Sequence, residues 1–196
     1  FIRAYAQFRE GGWSGIAGNP EFGGQGLPKT VAAACEEMWS SANMAFALCP
    51  ELSQGALLAI ERHGSDALRA AYVEPMIAGR WTASMCLTEP QAGSELAALT
   101  TRAVRERDHY LITGRKIFIT WGDHPMAENI AHPVLARTTD APAGSRGISL
   151  FLVPKYPLRK DGSPGERNDV RPVSVEHKLG IHASPTCVMA FGDRGG

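Results

Sequence analysis

The chain has 196 residues, with 20 basic and 20 acidic side chains and a formal net charge of zero. That length is enough for a real core in one large or two small domains, and the balanced charge gives no electrostatic reason to expect a nucleic-acid partner or a basic membrane-facing surface. The longest apolar stretches, such as residues 148–153, are far too short to span a bilayer, so no membrane partner is expected either.

Residues 1–10 carry apolar side chains at helical spacing, and Gly11-Gly12 stops the pattern. Residues 12–28 read as a loop rich in glycine, proline and aromatics, including Trp13, Pro20, Phe22 and Gly23. Residues 30–48 are Ala-rich without internal Gly or Pro and predict a strong helix. Pro50 is expected to break it, and residues 51–63 to form a second helix stopped by Gly64. Ser65 is a suitable N-cap for a third helix, with Asp66 in its first turn. That helix sets Leu68, Ala71, Tyr72, Met76 and Ile77 on one face and ends near Gly79.

After Arg80 the pattern changes to short segments rich in β-branched or apolar residues, punctuated by turn signals: 81–88, 100–107, 110–120, 134–137, 148–154, 173–175 and 186–191. Arg107-Asp108-His109 reads as the turn of a hairpin. Short strands without long helices between them predict an antiparallel barrel or sandwich. The expected class is therefore α+β: part of a helical bundle over residues 1–80, then an antiparallel β-barrel over residues 81–196.

The four cysteines, Cys35, Cys49, Cys86 and Cys187, form no CxxC pair and have no histidine cluster at metal-ligand spacing. They are expected to be buried free thiols in a reducing compartment, which favours a cytoplasmic protein. The chain begins at Phe1, inside an amphipathic pattern that does not read as a signal peptide, and ends at Gly196, directly after a strand-like segment. Both ends are those expected of a piece of a longer gene product.

Two segments stand out for chemistry, residues 85–95 and 114–122. In the first, a strand must stop at Thr88-Glu89-Pro90, because proline has no N–H for a ladder. The backbone donors just before it, and the Thr88 hydroxyl, are then available to a ligand. Ala92-Gly93-Ser94 adds a small-residue turn suited to approach by a phosphate. In the second, Phe118 and Thr120 alternate with Ile119 and share a face, where a ring can pack on a flat ligand and a hydroxyl can bond its edge. The alternatives are a plain strand end with a serine N-cap, and a core phenylalanine beside a surface threonine.

Met85-Cys86-Leu87-Thr88-Glu89-Pro90-Gln91-Ala92-Gly93-Ser94 resembles the first signature of the acyl-CoA dehydrogenase family. Lys116-Ile117-Phe118-Ile119-Thr120 resembles its second, and Glu21-Phe22-Gly23-Gly24-Gln25-Gly26 resembles a loop of its N-terminal helical domain. His177-Lys178-Leu179-Gly180-Ile181-His182-Ala183-Ser184-Pro185-Thr186-Cys187 resembles the end of its middle domain, and with Gly11-Gly12-Trp13 is similar to the 3-methylmercaptopropionyl-CoA dehydrogenase branch. The resemblance implies FAD against the middle β domain, with Leu87 and Thr88 at the pyrimidine edge and Ser94 by the pyrophosphate or the CoA chain. Phe118 would pack on the ring and Thr120 would lie near its reactive nitrogen edge.

It also implies an acyl-CoA substrate, an electron-transfer flavoprotein as partner, a homo-oligomer at full length and a glutamate base in a C-terminal helical domain that this chain lacks. No residue here is assigned as catalytic. Glu89 is expected to hold local backbone, and His63, His109, His124, His132 and His177 receive no catalytic task. Two positions depart from the family pattern: Phe118 stands where many members have Trp, and His182 where many have Arg. A titratable imidazole in place of a fixed charge there bears on how a CoA group is bound. Two other outcomes remain open: a non-catalytic flavin- or acyl-CoA-binding protein, and an oxidase-like flavoenzyme.

Overall fold

A computed structural model describes residues 1–194. Its first part holds three helices: α1 (Ile2–Glu10), α2 (Lys29–His63) and α3 (Asp66–Ile77). α1 buries Tyr5 and Phe8, and the Tyr5 hydroxyl donates to Gly79 O at 2.9 Å. α3 starts where Ser65 accepts the Leu68 N–H, as its capping side chain predicts.

The helix break differs from the sequence expectation. Pro50 lies inside α2, and the interruption is seven residues earlier at Asn43, with φ −161° and ψ 91°. Asn43 accepts the Phe46 N–H at 3.0 Å, so it serves as N-cap for the second limb. The cap restores a lost backbone bond where the chain bends, whereas proline at 50 forfeits one bond only.

Seven strands follow: β1 (Trp81–Ala83), β2 (Arg102–Glu106), β3 (His109–Thr120), β4 (Asn129–Thr138), β5 (Ser149–Pro154), β6 (Val170–Val175) and β7 (Thr186–Phe191). They form one curled sheet in the order β1-β4-β2-β3-β7-β6, with β5 on the other side of β4. The sheet is mixed rather than purely antiparallel, because β1 and β2 both run parallel to β4. The reason is that β4 pairs with β2 and not with β3. β4 runs opposite to β3, the return arm of the β2–β3 hairpin, so by pairing with β2 it becomes a parallel neighbour. The hairpin turn itself is Arg107-Asp108, with Arg107 at φ +54°.

β1, the Cys86–Val134 bridge and β2 lie end to end along β4, so residues 87–101 leave the strand line and return to it. One apolar cluster joins α2 and α3 to the sheet through Leu57, Ile60, Val73, Met76, Trp81 and Ala131. A second fills the curl, around Cys86, Ile119, Val134, Cys187, Met189 and Phe191. Trp121, just past β3, donates its indole N–H to Ala45 O at 3.0 Å and ties the sheet to the α2 bend. The four cysteines are free and buried, as expected. No helix among the described residues is long and apolar enough to cross a membrane.

Candidate functional site

The 87–101 excursion is pinned at its root by Glu89. This carboxylate is buried and accepts six hydrogen bonds: from Gln91, from the N–H and hydroxyl of Thr100, from the N–H and hydroxyl of Thr101, and from Lys116 Nζ at 2.9 Å. Burial alone would push its pKa up, but the bonds from Lys116, Thr101 and Thr100 outweigh it and hold the carboxyl at about 2. Burial pushes the Lys116 pKa down, and the contact with Glu89 opposes that. Gly114 on β3 leaves no room for a Cβ against Thr101, so glycine there lets the returning loop close on the strand.

Thr88 is the residue so presented. Its carbonyl accepts the Ile117 N–H at 2.9 Å, which seats it beside β3. Neither its N–H nor its hydroxyl has a hydrogen-bond partner among the described residues, although the side chain is half-buried. The Leu87 carbonyl is taken by Lys116 Nζ at 2.9 Å. The Glu89 N–H is not free as the sequence led one to expect. It bonds Ala92 O, closing a turn over Pro90-Gln91, so among the described residues the free backbone donors before the Glu-Pro stop are the N–H groups of Leu87 and Thr88.

β3 carries a bulge next to Thr88. Its register against β7 slips between Lys116, opposite Met189, and Ile119, opposite Cys187. One extra residue reverses which side faces the core. Ile112 and Lys116 point inward before the bulge, Ile119 and Trp121 after it. Phe118 and Thr120 are thereby turned to the outer side, Phe118 with 59% of its surface exposed and Thr120 half-buried. Phe118 has φ +59°, a left-handed conformation unfavourable for an aromatic residue. The Thr120 carbonyl accepts the Ser84 hydroxyl at 2.6 Å, while its own hydroxyl has no partner among the described residues.

Leu87 and Thr88 thus lie beside the end of β3, to whose Lys116 and Ile117 they are bonded, and Phe118 and Thr120 follow on that same stretch. Ser94 and His182 are exposed, and no hydrogen bond or ion pair among the described residues ties either to these four. Ser94 is not an N-cap; Glu95 accepts the Ala97 N–H instead. His182 sits in a loop rather than on a strand, because β7 begins only at Thr186. Lys178 closes that loop by donating to Ser184 O at 2.6 Å and to Thr186 Oγ1 at 2.9 Å.

Sequence reasoning missed Lys116 as more than part of a motif. The signal was present: a lysine at an inward position of an alternating strand needs a buried acceptor, and Glu89 sits beside the preceding strand end. Of the histidines, His124 is neutral, with burial pushing its pKa down to about 4, and it faces Thr82 Oγ1 at 3.1 Å. Such packing leaves it a structural residue.

Two family models match the chain: the acyl-CoA dehydrogenase N-terminal domain over residues 2–80 and the acyl-CoA dehydrogenase middle domain over residues 84–193. The 3-methylmercaptopropionyl-CoA dehydrogenase of Ruegeria pomeroyi is 51% identical over 194 residues, covering 98% of this chain and 33% of the relative. The chain spans about a third of the length of the curated relatives it matches. Among solved structures, a chain from the electron transferring flavoprotein of Acidaminococcus fermentans superposes with TM-score 0.83 at 28% identity, covering 97% of this chain and 47% of that one. An acyl-CoA dehydrogenase complexed with FAD from Bacillus anthracis superposes with TM-score 0.79 at 27% identity, over 98% of this chain and 30% of that one.

Proposed function

The chain belongs to the acyl-CoA dehydrogenase family, and from that premise we propose that it is the flavin-cradling portion of a cytoplasmic, FAD-dependent enzyme that dehydrogenates acyl-CoA thioesters between their α and β carbons. The observation that carries this reading is that the N–H and hydroxyl of Thr88, bonded to β3 at Ile117, and the Thr120 hydroxyl have no partner among the described residues, while the Phe118 ring next to Ile117 is turned outward. A flat ring system with hydrogen-bonding groups along one edge fits that donor set: an aromatic surface to pack on, and two hydroxyls and an amide along the rim.

Leu87, Thr88, Phe118 and Thr120 would hold the flavin ring system, and Ser94 would approach the pyrophosphate or the CoA chain. Bound there, FAD supplies the two-electron acceptor the reaction requires. His182 would meet a charged group of CoA. The base that takes the α-proton is assigned to a part of the protein outside this chain. Glu89 is unsuited to that task, because its oxygens already accept six hydrogen bonds and Lys116 keeps it charged. Electrons would pass on to an electron-transfer flavoprotein, and the full-length protein would assemble as a homo-oligomer.

The experiment is to purify the full-length protein, record its visible spectrum and add acyl-CoA anaerobically. A yellow protein bleached by acyl-CoA supports the dehydrogenase. Bleaching coupled to oxygen uptake without another acceptor points to an oxidase, and bound FAD indifferent to acyl-CoA points to a non-catalytic binder. A colourless protein that takes up no FAD overturns the reading.

A further inference from the structure

Lys116 has two acceptors, and the second belongs to the proposed flavin edge. Its Nζ donates to Glu89 Oε1 and to Leu87 O, each at 2.9 Å, from a fully buried position. The chain has no cis peptide bond among the described residues, so the Leu87–Thr88 peptide is trans. In a planar trans peptide the C=O and the N–H point in opposite directions. With the Leu87 carbonyl turned inward onto the ammonium, the Thr88 N–H must face the other way, away from the Lys116–Glu89 pair. No acceptor among the described residues takes it.

The peptide cannot easily swing out of this pose. The Thr88 carbonyl is tied to Ile117 N–H at 2.9 Å on one side, and Glu89 is saturated on the other. An amide whose carbonyl accepts from a cation also becomes a stronger donor through its N–H, because linked hydrogen bonds polarise one another. Glu89 balances the buried charge, so the pair acts through direction and polarisation rather than through net positive potential.

We propose that Lys116 is a positioning residue for the flavin, which fixes the Thr88 N–H toward the ring edge and strengthens it as a donor to the negative charge that the ring gains on reduction. This rests on the flavin reading given above. It assigns a function to a fully buried lysine whose acceptors are Glu89 and the Leu87 carbonyl.

The test uses the FAD-loaded full-length protein and two variants, Lys116→Met and the double variant Lys116→Met/Glu89→Gln. The double variant removes both charges, so that no buried ion is left unpaired if the single variant fails to fold. The readout is the two-electron midpoint potential of the bound flavin. Reduced FAD is expected to bind about tenfold more weakly relative to oxidised FAD in the variants, a shift of about 30 mV to more negative potential. A folded, FAD-loaded double variant with an unmoved potential overturns the proposal, even if its melting temperature falls, because that is a structural role alone. A wild-type protein that holds no FAD fails at the earlier step and is recognised as such before any variant is made.

Discussion

Lys116 Nζ lies 2.9 Å from Glu89 Oε1 with both side chains buried, and the contact joins the root of the 87–101 excursion to the middle of β3. Removing one partner strands the other charge in the core. Glu89→Ala or Lys116→Ala is expected to cost about 3–5 kcal/mol, whereas Lys116→Met/Glu89→Gln costs well under the sum of the two. Urea denaturation of the three variants gives the coupling directly, and strict additivity would refute it.

Stability should fall on acidification in two stages. His124 is pushed down to about 4 from 6.5, so the folded state disfavours its charged form and stability is lost as pH falls from about 6.5 toward 4. Glu89 is held at about 2 against a reference of 4.5, so its contribution is present above pH 4.5 and is lost as pH falls toward 2. That second stage is worth about 3 kcal/mol. Glu89→Gln should flatten the profile below pH 4.5 and leave the His124 stage in place, which denaturant midpoints across the pH range will register.

Phe118 sits at φ +59° with most of its ring exposed, so the fold gains little from it and bears backbone strain. Phe118→Gly is expected to raise or preserve the stability of the FAD-free protein, with relief of about 1 kcal/mol. The same change should weaken FAD retention by an order of magnitude through lost ring packing. Thermal melts with and without FAD separate the two effects. A destabilised FAD-free protein would show that the ring has a structural duty.

Thr88→Val and Thr120→Val each remove a hydroxyl that has no intramolecular partner, so the fold should be untouched. Each is expected to cost about 1 kcal/mol in FAD binding, or several-fold in Kd, and the double variant roughly the sum. Equilibrium dialysis of the full-length protein measures this. Unchanged affinity in the double variant would remove both residues from the cofactor site.

Asn43→Ala deletes the side chain that caps the second limb of α2. A loss of about 1 kcal/mol is expected, with no change in flavin content. Pro50→Ala, by contrast, should be neutral or stabilising, because it restores an N–H inside an established helix.

Much of the scaffold could be read along the chain. The α1 stop at Gly11-Gly12, the Ser65 cap, the β2–β3 hairpin and the four buried thiols follow from local chemistry: the left-handed conformation that Gly12 takes at φ +74°, side-chain acceptors, alternation and the absence of a pairing motif. The α2 bend was not legible in this way. Pro50 is the stronger breaker by intrinsic propensity, yet Asn43 breaks the helix where Trp121 from past β3 reaches Ala45 O, a contact spanning 76 residues. The strand directions were not legible either, since whether β4 lies beside β2 or β3 is a choice between surfaces distant in sequence.

The same division runs through the site. Sequence alone marked the residue types suited to the chemistry: a threonine before a Glu-Pro stop, a small-residue turn, and an aromatic and a hydroxyl near the end of β3. Tertiary structure decided which of them are free to act. The bulge at 117–118 turns Phe118 outward by reversing the parity of a two-residue repeat, and a single inserted residue leaves no mark in that repeat until the partner strand is known. Lys116, buried against Glu89 and Leu87 O, fixes which way one peptide plane faces. That direction depends on an ammonium 29 residues further along the chain and only 2.9 Å away in space.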